Sequence, residues 1–284
     1  MHRAFGHRSP GWMAAGANPK HAWLYVSGFD SGNVLIYDLD RFGIPQIGEI
    51  TDGIQGPRDI TLDGAGNLYV ANTNGNTVTI YAPGATSPSL TLSQTLSGPV
   101  CATADAQGNV WVSNHGGPAS ISVFPPGQTA PSQTITGDVI ASPEQIAFDA
   151  AGDAIFGDDT MGVSEIPAGS TNPVSLHLKG LVSRATEGIA LDGRRDLTYV
   201  SFGFLTNHVN VYHGTHKSPI RALSAPTADG LAIGTFRGRE VLFVPGSQTS
   251  TVSLFYAGAK ASFATMAVGT SYTRGAAFKP AGVP

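Results

Sequence analysis

Only one cysteine, Cys101, stands among the 284 residues, so no disulfide can form within the chain. It falls in an apolar stretch, where a buried, inert thiol is the expectation. Charge is scarce as well: Asp, Glu, Lys and Arg make up 13% of the residues, about half the usual share. The net charge of −4 at pH 7 argues against a basic stripe and so against a nucleic-acid partner. No apolar run approaches the roughly 18 residues of a membrane-spanning helix. GxSxG, P-loop, HExxH and CxxC patterns are all missing, which removes the motif-bearing hydrolase, nucleotide and zinc classes. The opening residues, MHRAFGHRSPGWM, lack the apolar core of a signal peptide. The Thr-, Ser- and Gly-rich, Lys-poor composition nevertheless suggests an exported, periplasmic or extracellular protein.

What the chain does have is glycine (36), proline (19) and a repeat. The stretch Pro57–Gly84, PRDITLDGAGNLYVANTNGNTVTIYAPG, holds three short runs of alternating, β-branched and aromatic residues separated by turns. Its first run recurs as PRDITLD, PVCATAD, PEQIAFD, TEGIALD, ADGLAIG and TRGAAFK, starting at Pro57, Pro99, Pro143, Thr186, Ala228 and Thr273. A spacing of about 42–45 residues with three or four strands per unit is the signature of propeller blades. The last copy, Thr273–Lys279, has no outer strands after it, and the outer strands at 24–51 have no clear inner strand before them. Ring closure answers both: the C-terminal strand completes the first blade and removes the open edges. The expected fold is therefore an all-β, six-bladed propeller with four antiparallel strands per blade. It spans residues 23–284 behind a partly irregular segment, 1–22. Seven blades would follow only if Trp12–Ala15 formed an inner strand of its own.

The recurring Asp63, Asp105, Asp149 and Asp192 open hairpin turns, and their expected work is to bond the turn backbone. Another column carries more chemistry. Just inside the inner strand it reads Arg58, Val100, Glu144, Glu187, Asp229 and Arg274. Propeller geometry gathers these at one mouth of the central channel. Three converging carboxylates must protonate, pair with cations or hold a hard divalent ion. The metal set expected on this basis is Glu144, Glu187 and Asp229. Arg58 and Arg274 are expected to bind an anionic ligand or, on the other reading, to bridge the acids as a salt plug. Loop residues on the same face, Asp30, Asn72, Asn114, His115, Asp158 and Asp159, add oxygen ligands and donors. His177 and His208 read as surface or packing residues. His213 and His216 flank a turn without a partner acid at convincing spacing.

The motifs LYVAN…NTVTIY (68–81) and PRDITLDGAGN (57–67) resemble NHL and YVTN-type propellers and, more distantly, the gluconolactonase/regucalcin superfamily. That resemblance covers about Trp23 to Lys279 and implies the propeller fold. It further implies a channel metal, calcium foremost, with Asp229 of Ala228-Asp229-Gly230 as ligand and general base. Glu187 then stands where an asparagine would be expected, and the first-blade glutamate is replaced by Met13 or Arg274. The leading expectation is a monomeric, non-catalytic propeller that binds a small molecule, polymer or protein at its top face. The alternative is a metal-dependent lactonase or esterase, with Asp229 and His115 as catalytic residues.

Overall fold

The computed structural model describes residues 11–181, 186–203, 206–214 and 216–283, so the first ten residues of the expected 1–22 segment lie outside it. The described chain forms six antiparallel sheets arranged as blades. Blade 2 shows the plan: Pro57–Leu62 innermost, then Leu68–Asn72, Thr77–Tyr81 and the short outer Leu90–Leu92. Blades 3 to 6 repeat it from the inner strands Pro99–Ala104, Pro143–Phe148, Ile189–Asp192 and Ala232–Phe236. Blade 1 is composite. Thr273–Lys279 pairs with Trp23–Gly28, joining the two ends of the described chain in one sheet. Trp12–Met13 pairs with Gly48 and Glu49 as a fifth, outermost strand, so this segment covers an edge rather than starting a seventh blade.

The described residues form no single core. Six apolar clusters fill the six gaps between adjacent blades, each combining side chains of two neighbours. Ile60, Ile146, Ile189 and Leu231 point into these gaps and are almost wholly buried. The small residues that alternate with them, Thr61, Ala147, Ala190 and Ala232, line the lower half of the axis. They leave a cavity of about 350 Å³ there.

Turn chemistry follows the repeat. Asp63 Oδ1 accepts from the N–H groups of Ala65 and Asn67, both at 2.9 Å, and Asp105, Asp149 and Asp192 hold their turns in the same way. Cys101 is fully buried, and burial pushes its thiol up, keeping it neutral and inert. Among the described residues, no helix is long and apolar enough to cross a membrane.

Candidate functional site

The inner strands enter at the top of the disc, and serine fasteners fix where they enter. Ser27 in blade 1 accepts from Gly275 N (2.8 Å) and donates to Arg58 O of blade 2 (2.8 Å). Ser201 in blade 5 accepts from Gly188 N (2.8 Å) and donates to Asp229 O of blade 6. Each hydroxyl ties a site residue's own backbone to the neighbouring blade. Arg58 and Asp229 of the ring column are thereby held at their backbone.

The side chains form a continuous chain of alternating charge. Arg58 Nη2 lies 2.8 Å from Glu144 Oε2 and 3.3 Å from Glu187 Oε2. Arg274 Nη1 lies 3.1 Å from the same Glu187 oxygen and 2.8 Å from Asp229 Oδ2. Its Nη2 donates to the Tyr272 hydroxyl (3.2 Å), and its guanidinium lies over the Tyr272 ring at 4.5 Å. Both arginines thus bridge the acids, as the salt-plug reading expected. The network leaves an excess of acid: Glu144, Asp159, Glu187 and Asp229 stand against two guanidiniums.

That excess sets the protonation. Burial raises Asp229 well above the ordinary aspartate range, and the Glu187 charge adds to this. Burial also opposes ionisation of Glu187. A hydrogen bond with Asp229 and the charges of Arg58 and Arg274 outweigh it and leave Glu187 lowered. The two therefore share one proton, held on Asp229.

On the other side of Arg58 a second grouping appears. His115 Nδ1 lies 3.1 Å from Glu144 Oε1, and His115 Nε2 lies 2.9 Å from Ser142 Oγ. Ligand atoms of His115, Glu144 and Asp159 all fall within 4.8 Å of one another. Asp159 Oδ1 is buried, with no hydrogen-bond partner among the described residues. Burial and the nearby Glu187 push the Asp159 carboxyl up to about 6. Burial raises Glu144 well above its usual range despite Arg58. Burial and Arg58 together lower His115, so its imidazole is neutral at pH 7 with a lone pair available.

The grouping that could hold an ion differs from the expected Glu144, Glu187 and Asp229 set. Glu144 joins His115 and Asp159, whereas Glu187 and Asp229 are drawn off by Arg274. Three other expected ligand residues are committed elsewhere. Asn72 Oδ1 accepts from Gln55 N (3.0 Å) while its amide donates to Thr79 Oγ1 (3.0 Å). Asn114 does the same with Ser97 N and Ser122 Oγ. Asp158 accepts from four backbone N–H groups, those of Ala141, Ser142, Thr160 and Met161. All three are buried staples of their loops, and Asp30 is exposed in a turn. His177 is exposed and His208 packs against Phe202, in keeping with their sequence reading. His213 departs from its own, because Asp196 lies 3.1 Å from its Nδ1.

One layer deeper lies a group that the column of charges does not reveal. Asp59 is 4% exposed, and neither oxygen has a partner at hydrogen-bond geometry among the described residues. It packs against bare backbone: a Cβ on Gly275 or Gly230 would fall 2.9 or 3.0 Å from its Oδ1. Gln145 closes the axis beside it, accepting from Ile189 N and Leu231 N and donating to Leu231 O. The sequence signal was a polar residue in the third inner-strand position, where blades 5, 6 and 1 carry glycine.

No family model matches the chain, and no curated protein matches it. The NHL, YVTN and gluconolactonase resemblances therefore rest on the repeat motifs alone. Solved structures do share the architecture. One, a protein of unknown function from Bacteroides caccae, is 12% identical with a TM-score of 0.65, covering 91% of this chain and 98% of that one. At that identity the likeness shows the propeller fold and nothing finer.

Proposed function

We propose that the top of the channel is a divalent-cation site serving a hydrolase of lactone or ester bonds. The observation that supports it is the convergence of His115, Glu144 and Asp159 within 4.8 Å, with a buried, unpartnered Asp159 oxygen among the donors. An imidazole beside two carboxylates suits Zn²⁺ or Mn²⁺ better than calcium, which favours an all-oxygen shell. A bound ion would polarise a carbonyl and make attack by water easier at neutral pH.

The chain's own groups account for the remaining roles. Asp229 holds the proton of the Asp229–Glu187 pair, so it acts as an acid toward a departing alkoxide rather than as the base expected from sequence. Arg58 spans the two halves of the mouth through Glu144 and Glu187, fixing the distance between them. Calorimetric titration with Mn²⁺ or Zn²⁺ tests the first step. About one ion per chain should bind, and His115→Ala with Asp159→Asn should abolish it. Hydrolysis of a lactone panel should then vanish with chelator and return with metal. A chain that binds no ion in that titration refutes the reading.

The four guanidinium–carboxylate contacts favour a second reading, a non-catalytic propeller whose mouth is a salt plug beneath a bound ligand. It is distinguished by intact ligand binding without metal.

A further inference from the structure

A second cavity lies between blades 3 and 4, on the hairpin-turn face and far along the strands from the channel mouth. It measures about 610 Å³, within the range of small-molecule sites. Trp111 and Phe148 form its floor, with ring centroids 5.5 Å apart and planes at 80°. Trp111 Nε1 donates to Asp105 Oδ2 (3.0 Å), which fixes the indole, and the residue remains partly exposed.

The indole exceeds what the turn requires. In blade 2 the same repeat position is Tyr69, whose hydroxyl donates to Asp63 Oδ2 at 2.9 Å. The neighbouring groove that Tyr69 lines, between blades 2 and 3, measures about 320 Å³. The wider groove has a larger aromatic floor, and its rim carries the exposed amides of Gln107 and Gln133.

Among the described residues, no Lys, Arg or His lines the cavity. Asp105 accepts through both oxygens, from Gln107 N, Asn109 N, Asn109 Nδ2 and Trp111 Nε1, and Asp149 accepts from Ala151 N and Asp153 N through Oδ1. They would repel an anion, and Asp149 Oδ2, the carboxylate oxygen outside these turn bonds, is a single ligand where a metal cation needs several. An uncharged ligand with one apolar face and many hydroxyls matches these walls. The C–H face of a sugar ring is apolar with a slight positive character and stacks on an indole face. Its equatorial hydroxyls then reach amide donors and acceptors around the edge.

We propose that the groove between blades 3 and 4 binds a neutral saccharide, with Trp111 beneath a sugar ring and Gln107 and Gln133 on its hydroxyls.

The test is calorimetric and tryptophan-fluorescence titration of the full chain, without added metal, using cello-, xylo-, malto- and chito-oligosaccharides. A sulfated oligosaccharide and a cationic peptide serve as charged probes. At least one neutral oligomer should bind with Kd between about 10 μM and 1 mM. Trp111→Ala should weaken it about tenfold or more. Trp111→Tyr, which keeps a ring and can bond Asp105 as Tyr69 bonds Asp63, should stay within about threefold. Because Trp111→Ala also cuts a turn contact, the exposed pair Gln107→Ala and Gln133→Ala gives an independent loss without touching the floor. The proposal fails if no neutral oligomer binds, if only a charged probe does, or if both sets of variants keep full affinity.

Discussion

Arg274 reaches two carboxylates through one nitrogen: its Nη1 lies 3.1 Å from Glu187 Oε2 and 2.8 Å from Asp229 Oδ2. Two ionised acids at that spacing would repel one another, and buried acids cannot disperse the charge into water. The pair therefore keeps a proton on Asp229. Asp229→Asn reproduces that uncharged state, retains an oxygen for Arg274, and should cost less than about 1 kcal/mol at pH 7. Glu187→Gln removes the ionised partner of both arginines and should cost about 3–5 kcal/mol. Urea unfolding of the two variants measures this asymmetry, and equal losses would contradict the shared proton.

Arg58 is the test of whether the mouth is a plug or a metal centre. Arg58→Met strips Glu144 of its guanidinium partner and should lower stability by about 3–5 kcal/mol without metal. If Glu144 is also a ligand, Mn²⁺ or Zn²⁺ replaces the lost charge. Added ion should then raise the Tm of this variant more than that of the unmodified chain. An identical small shift in both would favour the plug.

Metal affinity should also depend on pH, since protons compete for the same donor atoms. Asp159 is held up to about 6 by burial and Glu187, and burial raises Glu144 well above its ordinary range. Glu144 gives up its proton as the ion enters and Asp159 does so increasingly below about pH 6, so affinity should fall steeply as pH drops from about 7 to 5. Calorimetry in two buffers of different ionisation enthalpy counts the protons released. A pH-independent constant would exclude Glu144 and Asp159 as ligands.

The sequence made the ring legible because the blade repeat is written in every copy, down to the incomplete outer strands of blade 1 and the orphan strand Thr273–Lys279. The site was only half legible. The charged column was visible, and so was its placement at one mouth. Side-chain partnership was not, because it depends on which of two adjacent loop residues turns inward. Asn72, Asn114 and Asp158 end their second strands and staple the loop below them. In blades 3 and 4 it is the residue after the staple, His115 or Asp159, that joins the Glu144 grouping. A hint was present in the spacing: Thr79 and Ser122 stand on the third strand where Asn72 and Asn114 need an acceptor. Asp59 escaped notice for another reason. A lone acid within an apolar strand carries no periodic signal, and only the glycines of three other blades reveal the room it occupies.

Asp59 couples the stability of the ring to pH. Burial raises its carboxyl to about 7; Cys101, Ile60 N–H, Gln145 and the Arg58 charge face it, and each pulls in the opposite direction. In the unfolded chain the same group titrates near 3.8. Between those values the folded state binds the extra proton, so this residue's contribution to stability falls as pH rises from about 4 to 7 and is constant above. Asp59→Asn keeps the shape without the titration. Its stability relative to the unmodified chain should therefore improve across that window, by up to about 4 kcal/mol. Groups common to both proteins cancel in the difference. Urea unfolding of both chains at pH 5 and pH 8 reads it directly, and parallel stabilities at the two values would mean that folding does not raise the Asp59 carboxyl.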